Sequence, residues 1–102
     1  MSLGDERRKF TEAIALLILY ARYKDWYLAG DQLKRCRDCK IGDKDSVHKL
    51  GLAEDMNLYI DGHYIEDETG HTELHDFWDM LGGAPRIEKD MNHYSFKWEG
   101  KW

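Results

Sequence analysis

The chain reads as an α+β domain, a small antiparallel sheet packed with two or more helices. Three observations predict it. Apolar residues recur at helical spacing over residues 5–24 and again over 70–83. Between them, an apolar run from Leu50 meets Asp61-Gly62 and then His63-Tyr64-Ile65, the pattern of a hairpin. Near the end, residues 93–98 alternate strictly. The chain has 102 residues and no Pro-, Gly- or Ser-rich linker, so a single domain over residues 1–102 is expected.

The elements follow in order. Asp5 is placed to cap a first helix running to about Lys24. Phe10, Ala13, Ile14, Leu17, Ile18 and Ala21 form its apolar stripe. Leu16, Leu19 and Tyr20 widen that stripe to nearly all sides, which predicts a helix packed deep in the core. Gly30 breaks the pattern, and residues 31–47 read as a long loop. Leu50–Ile60 reads as a strand, with Leu52, Met56, Leu58 and Ile60 on one face, Glu54 the exception there, and Ala53, Asp55, Asn57 and Tyr59 on the other. A second helix is expected between Gly70 and Gly83, capped by Thr72. Leu74, Phe77, Trp78 and Leu81 form its apolar face, and Gly82-Gly83 stop it. In the last strand Tyr94, Phe96 and Trp98 point one way, and His93, Ser95 and Lys97 the other. Trp78 and Trp98 are expected in the core.

Composition narrows the function. Lys and Arg number 15 against 20 Asp and Glu, a net charge of −5, which argues against a nucleic-acid partner. The charge is uneven: residues 1–51 carry net +3 and residues 52–102 net −8. Four of the five His lie in the acidic half. Imidazole with carboxylate is a zinc ligand set, although a solvated acidic surface has the same composition. The apolar run Ala13–Ala21 is too short to span a membrane and lacks a small residue at a cleavage position, so neither stable membrane insertion nor a signal peptide is expected. Cys36-x-x-Cys39 has no second pair to complete a structural zinc site and no βαβ pattern around it for redox work.

Two short segments carry chemistry. One is Ser46-Val47-His48-Lys49-Leu50-Gly51-Leu52-Ala53-Glu54-Asp55, the other Asp90-Met91-Asn92-His93. A hydrolytic zinc site needs three protein ligands, an open position and a carboxylate that takes a proton from water. His48, Asp55 and His93 are candidate ligands, with Asp90 the candidate general base. On spacing alone, a zinc site and a scatter of surface polar residues both remain open.

The pattern Ser-x-His-x-x-Gly-x-Ala-x-Asp followed by Asp-x-x-His resembles the signature of a zinc peptidase family. That family comprises D-alanyl-D-alanine carboxypeptidases and dipeptidases and phage L-alanyl-D-glutamate endolysins. Ser46, His48, Gly51, Ala53 and Asp55 match the first motif, and Asp90 and His93 the second. The similarity runs from the first helix to Phe96. It implies a compact hedgehog or D-Ala-D-Ala-peptidase-like fold. It also implies zinc (Zn2+) on His48, Asp55 and His93, with Asp90 activating water against a peptide bond of the peptidoglycan stem. Ser46 is expected to brace the site or touch substrate, Gly51 to turn the chain into the strand, and Ala53 to leave its face uncrowded. A chain without a signal peptide would be made in the cytoplasm and reach the cell wall after phage-mediated release.

Two departures stand out. Relatives carry an Arg ahead of the first motif that contacts substrate; here Lys34 aligns, with Arg35 beside it. Relatives often have Trp-Gly-Gly before the catalytic acid, whereas this chain has Gly82–Lys89 with Glu88 as a second candidate carboxylate. His71 falls where similar proteins tend to have His, which suggests a supporting role near the site. His71 and His75 also form an i, i+4 pair able to bind metal on a helix face. His63 is expected to be exposed in the hairpin turn. The alternatives to a peptidase are a non-catalytic zinc module, such as a phage structural or binding domain, and a small binding protein with a structural site on Cys36, Cys39 and His48.

Overall fold

Helix α1 (Leu3–Tyr23) begins in a reciprocal cap at Ser2. The Ser2 Oγ accepts from the Asp5 N–H at 3.1 Å, and the Asp5 carboxylate accepts from the Ser2 N–H at 3.3 Å. Asp5 is therefore the third helical residue and not the cap. Ser-x-x-Asp satisfies two otherwise orphaned amides at once, which a cap at Asp5 would not. The structure is a computed structural model that describes residues 2–30 and 50–102. The expected loop over 31–47, with Lys34, Arg35, Cys36, Cys39 and Ser46, lies outside the described residues, as does His48.

The order continues β1 (Trp26–Gly30), β2 (Ala53–Ile60), β3 (His63–Tyr64), α2 (His71–Met80) and β4 (His93–Ser95). This is the small α+β architecture expected, with one added strand. Asp25, at φ 64°, turns the chain out of α1 into β1. There Trp26 pairs with Ile60 and Leu28 with Leu58 in an antiparallel register. Trp-Tyr-Leu-Ala shows no polar alternation, so the strand was not legible before its partner was known.

Asp61 (φ 53°) and Gly62 (φ 77°) are both left-handed, the geometry of a type I′ hairpin turn. The Leu58 carbonyl accepts from the Ile65 N–H, and the Met56 N–H donates to the Asn92 carbonyl. Residues two apart on a strand direct their backbone groups to the same edge, so β3 and β4 lie along one edge of β2 and β1 along the other.

Both helices bury one face against this sheet. Phe10, Ala13 and Leu17 of α1 meet Leu52, Met56 and Leu58, Leu74 and Trp78 of α2, and Tyr94 and Phe96. The Phe10 ring stands edge-on to Trp78 (5.8 Å) and to Phe96 (5.6 Å). The expectation that α1 is enclosed on nearly all sides does not hold. Leu16 is 46% and Leu19 63% exposed, because only the face of α1 that carries Phe10, Ala13, Leu17 and Ala21 is buried. Among the described residues no helix is long and apolar enough to cross a membrane.

Three further expectations change. Helix α2 is capped by Gly70 and not Thr72, which lies within the first turn. A Cβ at Gly70 would come within 2.7 Å of Leu58 Cδ2, so the close approach of α2 to β2 selects glycine there. The alternation over 93–98 marks faces of the strand and not exposure: His93, Tyr94 and Ser95 are all buried. Trp98 is half-buried at the core's margin, where its backbone pairs with Lys101. Trp78 is fully buried as expected.

The end of α2 fixes the path toward the second motif. The Gly82 N–H bonds the Asp79 carbonyl and the Gly83 N–H the Trp78 carbonyl, the paired bonds of a Schellman stop. The Ser95 carbonyl then accepts from both Trp78 Nε1 (2.9 Å) and the Ala84 N–H (2.8 Å). A Cβ at Gly83 would fall 2.1 Å from Trp78 Nε1. Gly83→Ala is expected to destabilise the fold by roughly 1–3 kcal/mol through overpacking. Urea denaturation with an unchanged m-value checks this, and parental stability would contradict it.

Candidate active site

Register between two strands builds the centre of the site. In the β2–β4 ladder Ala53 pairs with Ser95, Glu54 with Tyr94, and Asp55 with His93. Residues directly opposite share a face, with Cβ atoms about 5 Å apart. Asp55 Oδ1 lies 3.4 Å from His93 Nδ1, and the two side chains are only 17% and 6% exposed. A direct N–H···O hydrogen bond is shorter, typically about 2.7–3.2 Å. Two donors about 2.0–2.1 Å from one tetrahedral ion stand roughly 3.3 Å apart. The separation is compatible with two ligands of one ion, and the donor types are those zinc takes.

The other parts of the first motif bear on this placement. Gly51, just ahead of β2, has φ 77°, as expected for a turn into the strand. Ala53 is buried on the ladder beside Asp55. His48 and Ser46 lie outside the described residues. Among the described residues no three His, Cys, Asp or Glu gather around one point. The described part of the expected ligand set is thus the pair Asp55 and His93.

The second motif is a tight turn. The His93 N–H donates to the Asp90 carbonyl at 3.1 Å, which makes Asp90 and His93 the two ends of one β-turn. The Asp90 N–H is itself tied to the Ile87 carbonyl at 3.0 Å. Asp90 is exposed, while His93 three residues on is buried. That contrast suits a base that must meet water beside a ligand that must hold metal.

A cleft of about 340 Å³ adjoins the turn, lined by Asp90, Glu88, Glu68, Asn57, Tyr64 and His71 among others. It runs beside the Asp55–His93 pair and does not include it. Glu88 is exposed on its rim, so the second candidate carboxylate faces the same space as Asp90.

His71 and His75 do not stand as a surface metal pair. Both are buried on the inner face of α2. His71 Nδ1 lies 2.7 Å from the Tyr94 hydroxyl, one residue from His93. His75 Nε2 lies 2.7 Å from the Met91 carbonyl, inside the second motif. Burial pushes both imidazoles down to about 4, so both are neutral at pH 7. Burial also pushes the Tyr94 hydroxyl well above its ordinary value, and it stays protonated. His71 thus bonds Tyr94 from inside the core, and His63, the first residue of β3 just after the hairpin turn, is exposed as expected. In the sequence His75 signals its inward position through the helix face it shares with His71, Leu74 and Trp78. Comparison of the chain with known proteins finds no matching family model, no matching curated protein and no matching solved structure.

Proposed function

We propose that the chain is a zinc-dependent peptidase that hydrolyses a peptide bond in the peptidoglycan stem, of the carboxypeptidase or endolysin type. The carrying observation is the pairing of Asp55 with His93 at 3.4 Å, with Asp90 at the far end of the turn that delivers His93. It places residues of both motifs side by side. The finer fold proposed is the hedgehog or D-Ala-D-Ala-peptidase-like one.

In this reading Asp55, His93 and His48 hold Zn2+, which would polarise the scissile carbonyl and make water more acidic. The exposed Asp90 carboxylate takes the proton from the attacking water and returns it to the leaving amine. The cleft beside the turn receives the stem peptide, with Glu88 and Asn57 on its walls. Lys34, Arg35 and Ser46 are proposed to contact the substrate. Action at the bacterial cell wall after phage-mediated release is part of the same proposal.

Mass spectrometry of digested muropeptides tests the activity, and product masses identify the bond cut. No new product from any stem peptide would refute it. Zinc analysis tests the site. His93→Ala is expected to lose the roughly one zinc per chain, while Cys36→Ser/Cys39→Ser keeps it. The reverse result would assign the metal to the cysteines.

A further inference from the structure

We propose that His75 is a positioning residue for the turn that carries Asp90 and His93. The inference rests on the peptidase reading for its consequence and on geometry for its substance. Each carbonyl of that turn has a partner. The Asp90 carbonyl accepts from the His93 N–H (3.1 Å), and the Asn92 carbonyl from the Met56 N–H (2.8 Å). Those two bonds are backbone to backbone, open to any sequence. The Met91 carbonyl, midway between base and ligand, meets the ring of His75 at 2.7 Å.

The ring is held for this purpose. His75 is 1% exposed and stacks on Tyr94 at 4.2 Å and 13°. A carbonyl only accepts, so the proton sits on Nε2. Nδ1 is then an acceptor, and it is buried with no hydrogen-bond partner among the described residues. An unbonded buried acceptor is a cost that Phe or Leu at this position would not carry. Packing alone therefore does not call for histidine, whereas a donor to Met91 does. Through that bond α2 sets the Met91–Asn92 peptide plane, and with it the relation of Asp90 to His93. Catalytic geometry loses rate steeply with small misplacements.

Two variants separate the donor from the packing. His75→Phe keeps a ring on Tyr94 and removes the donor; His75→Gln keeps a donor and removes the stack. Amide hydrogen exchange is read at three N–H groups in the metal-free protein. In His75→Phe the His93 and Met56 amides are expected to exchange about tenfold faster, the equivalent of one lost hydrogen bond. The Ile65 amide, which follows β3 and bonds the Leu58 carbonyl outside the turn, keeps its parental rate. His75→Gln returns the two turn amides to within about threefold of the parent, although its melting temperature falls. Activity should follow, with kcat lower in His75→Phe and KM little changed.

Parental exchange at the turn in His75→Phe would overturn the proposal. So would a His75→Gln protein no better protected than the Phe variant. If His75→Phe does not fold, His75→Gln decides alone: near-parental protection supports the role, and a tenfold loss overturns it. If the parent cleaves no muropeptide, the peptidase reading fails, and the exchange rates still decide what His75 holds.

Discussion

Asp90→Asn is expected to slow muropeptide hydrolysis by about 10²–10⁴, the range of a positioned general base, while zinc stays bound. The structure makes the two readouts separable. Asp90 is exposed at one end of the turn, and His93 is buried at the other beside Asp55. Asn keeps the size of the side chain and cannot take the proton. The backbone bonds of the turn, Asp90 N–H to Ile87 and Asp90 carbonyl to His93, do not involve the side chain. The variant should therefore fold and melt like the parent. Muropeptide turnover is the measurement, with zinc content beside it. Parental turnover would refute Asp90 as base and move attention to Glu88 on the same cleft. Loss of zinc would instead make Asp90 a ligand.

The second large effect is on stability at mild acidity. His71 and His75 are held down to about 4 by burial, against 6.5 in an unfolded chain. Their folded values are depressed, so the unfolded chain binds protons that the folded one refuses. The stability they contribute is complete above pH 6.5 and is lost as pH falls toward 4. Each shift corresponds to about 3 kcal/mol, and the sum falls short of twice that because the two rings feel one another. Urea midpoints measured from pH 7 to pH 4, with chelator present so that metal loss does not contribute, should drop steeply. His75→Phe removes one of the two groups, so its curve should be clearly flatter. A flat parental curve would refute the assignment. Asp67 and Glu73 also have lowered values, from Thr69 and from Lys24 with Tyr20. Their contribution is present above the ordinary carboxylate range and fades only as pH falls below it, so it occupies a separate window.

Local chemistry made much of this protein readable. Asp61-Gly62 between two apolar runs specifies a hairpin because left-handed backbone at both positions matches the strand twist. Helical periodicity located both helices, since Phe10, Ala13, Leu17 and Ala21 must share a face. The boundaries were less readable. The start of α1 depended on a reciprocal bond between Ser2 and Asp5, and the start of α2 on how closely Gly70 approaches Leu58. Strand β1 stayed hidden because Trp26–Gly30 acquires its meaning from the register with β2.

For the proposed site, the sequence by itself supplied the candidates: Asp55 in one motif, Asp90 and His93 in another. It also set their local frames, a strand and a β-turn, because those depend on neighbours within a few residues. Only the tertiary structure decided that Asp55 and His93 meet across one ladder, that Asp90 faces a cleft, and that His71 and His75 turn inward. Those facts follow from long-range register and from which helix face the core claims. A polar residue's letter states what it can bond, while burial and pairing decide what it does bond. His75 shows the difference most plainly: one more histidine on a helix in the sequence, and in the fold the donor that holds the turn between Asp90 and His93.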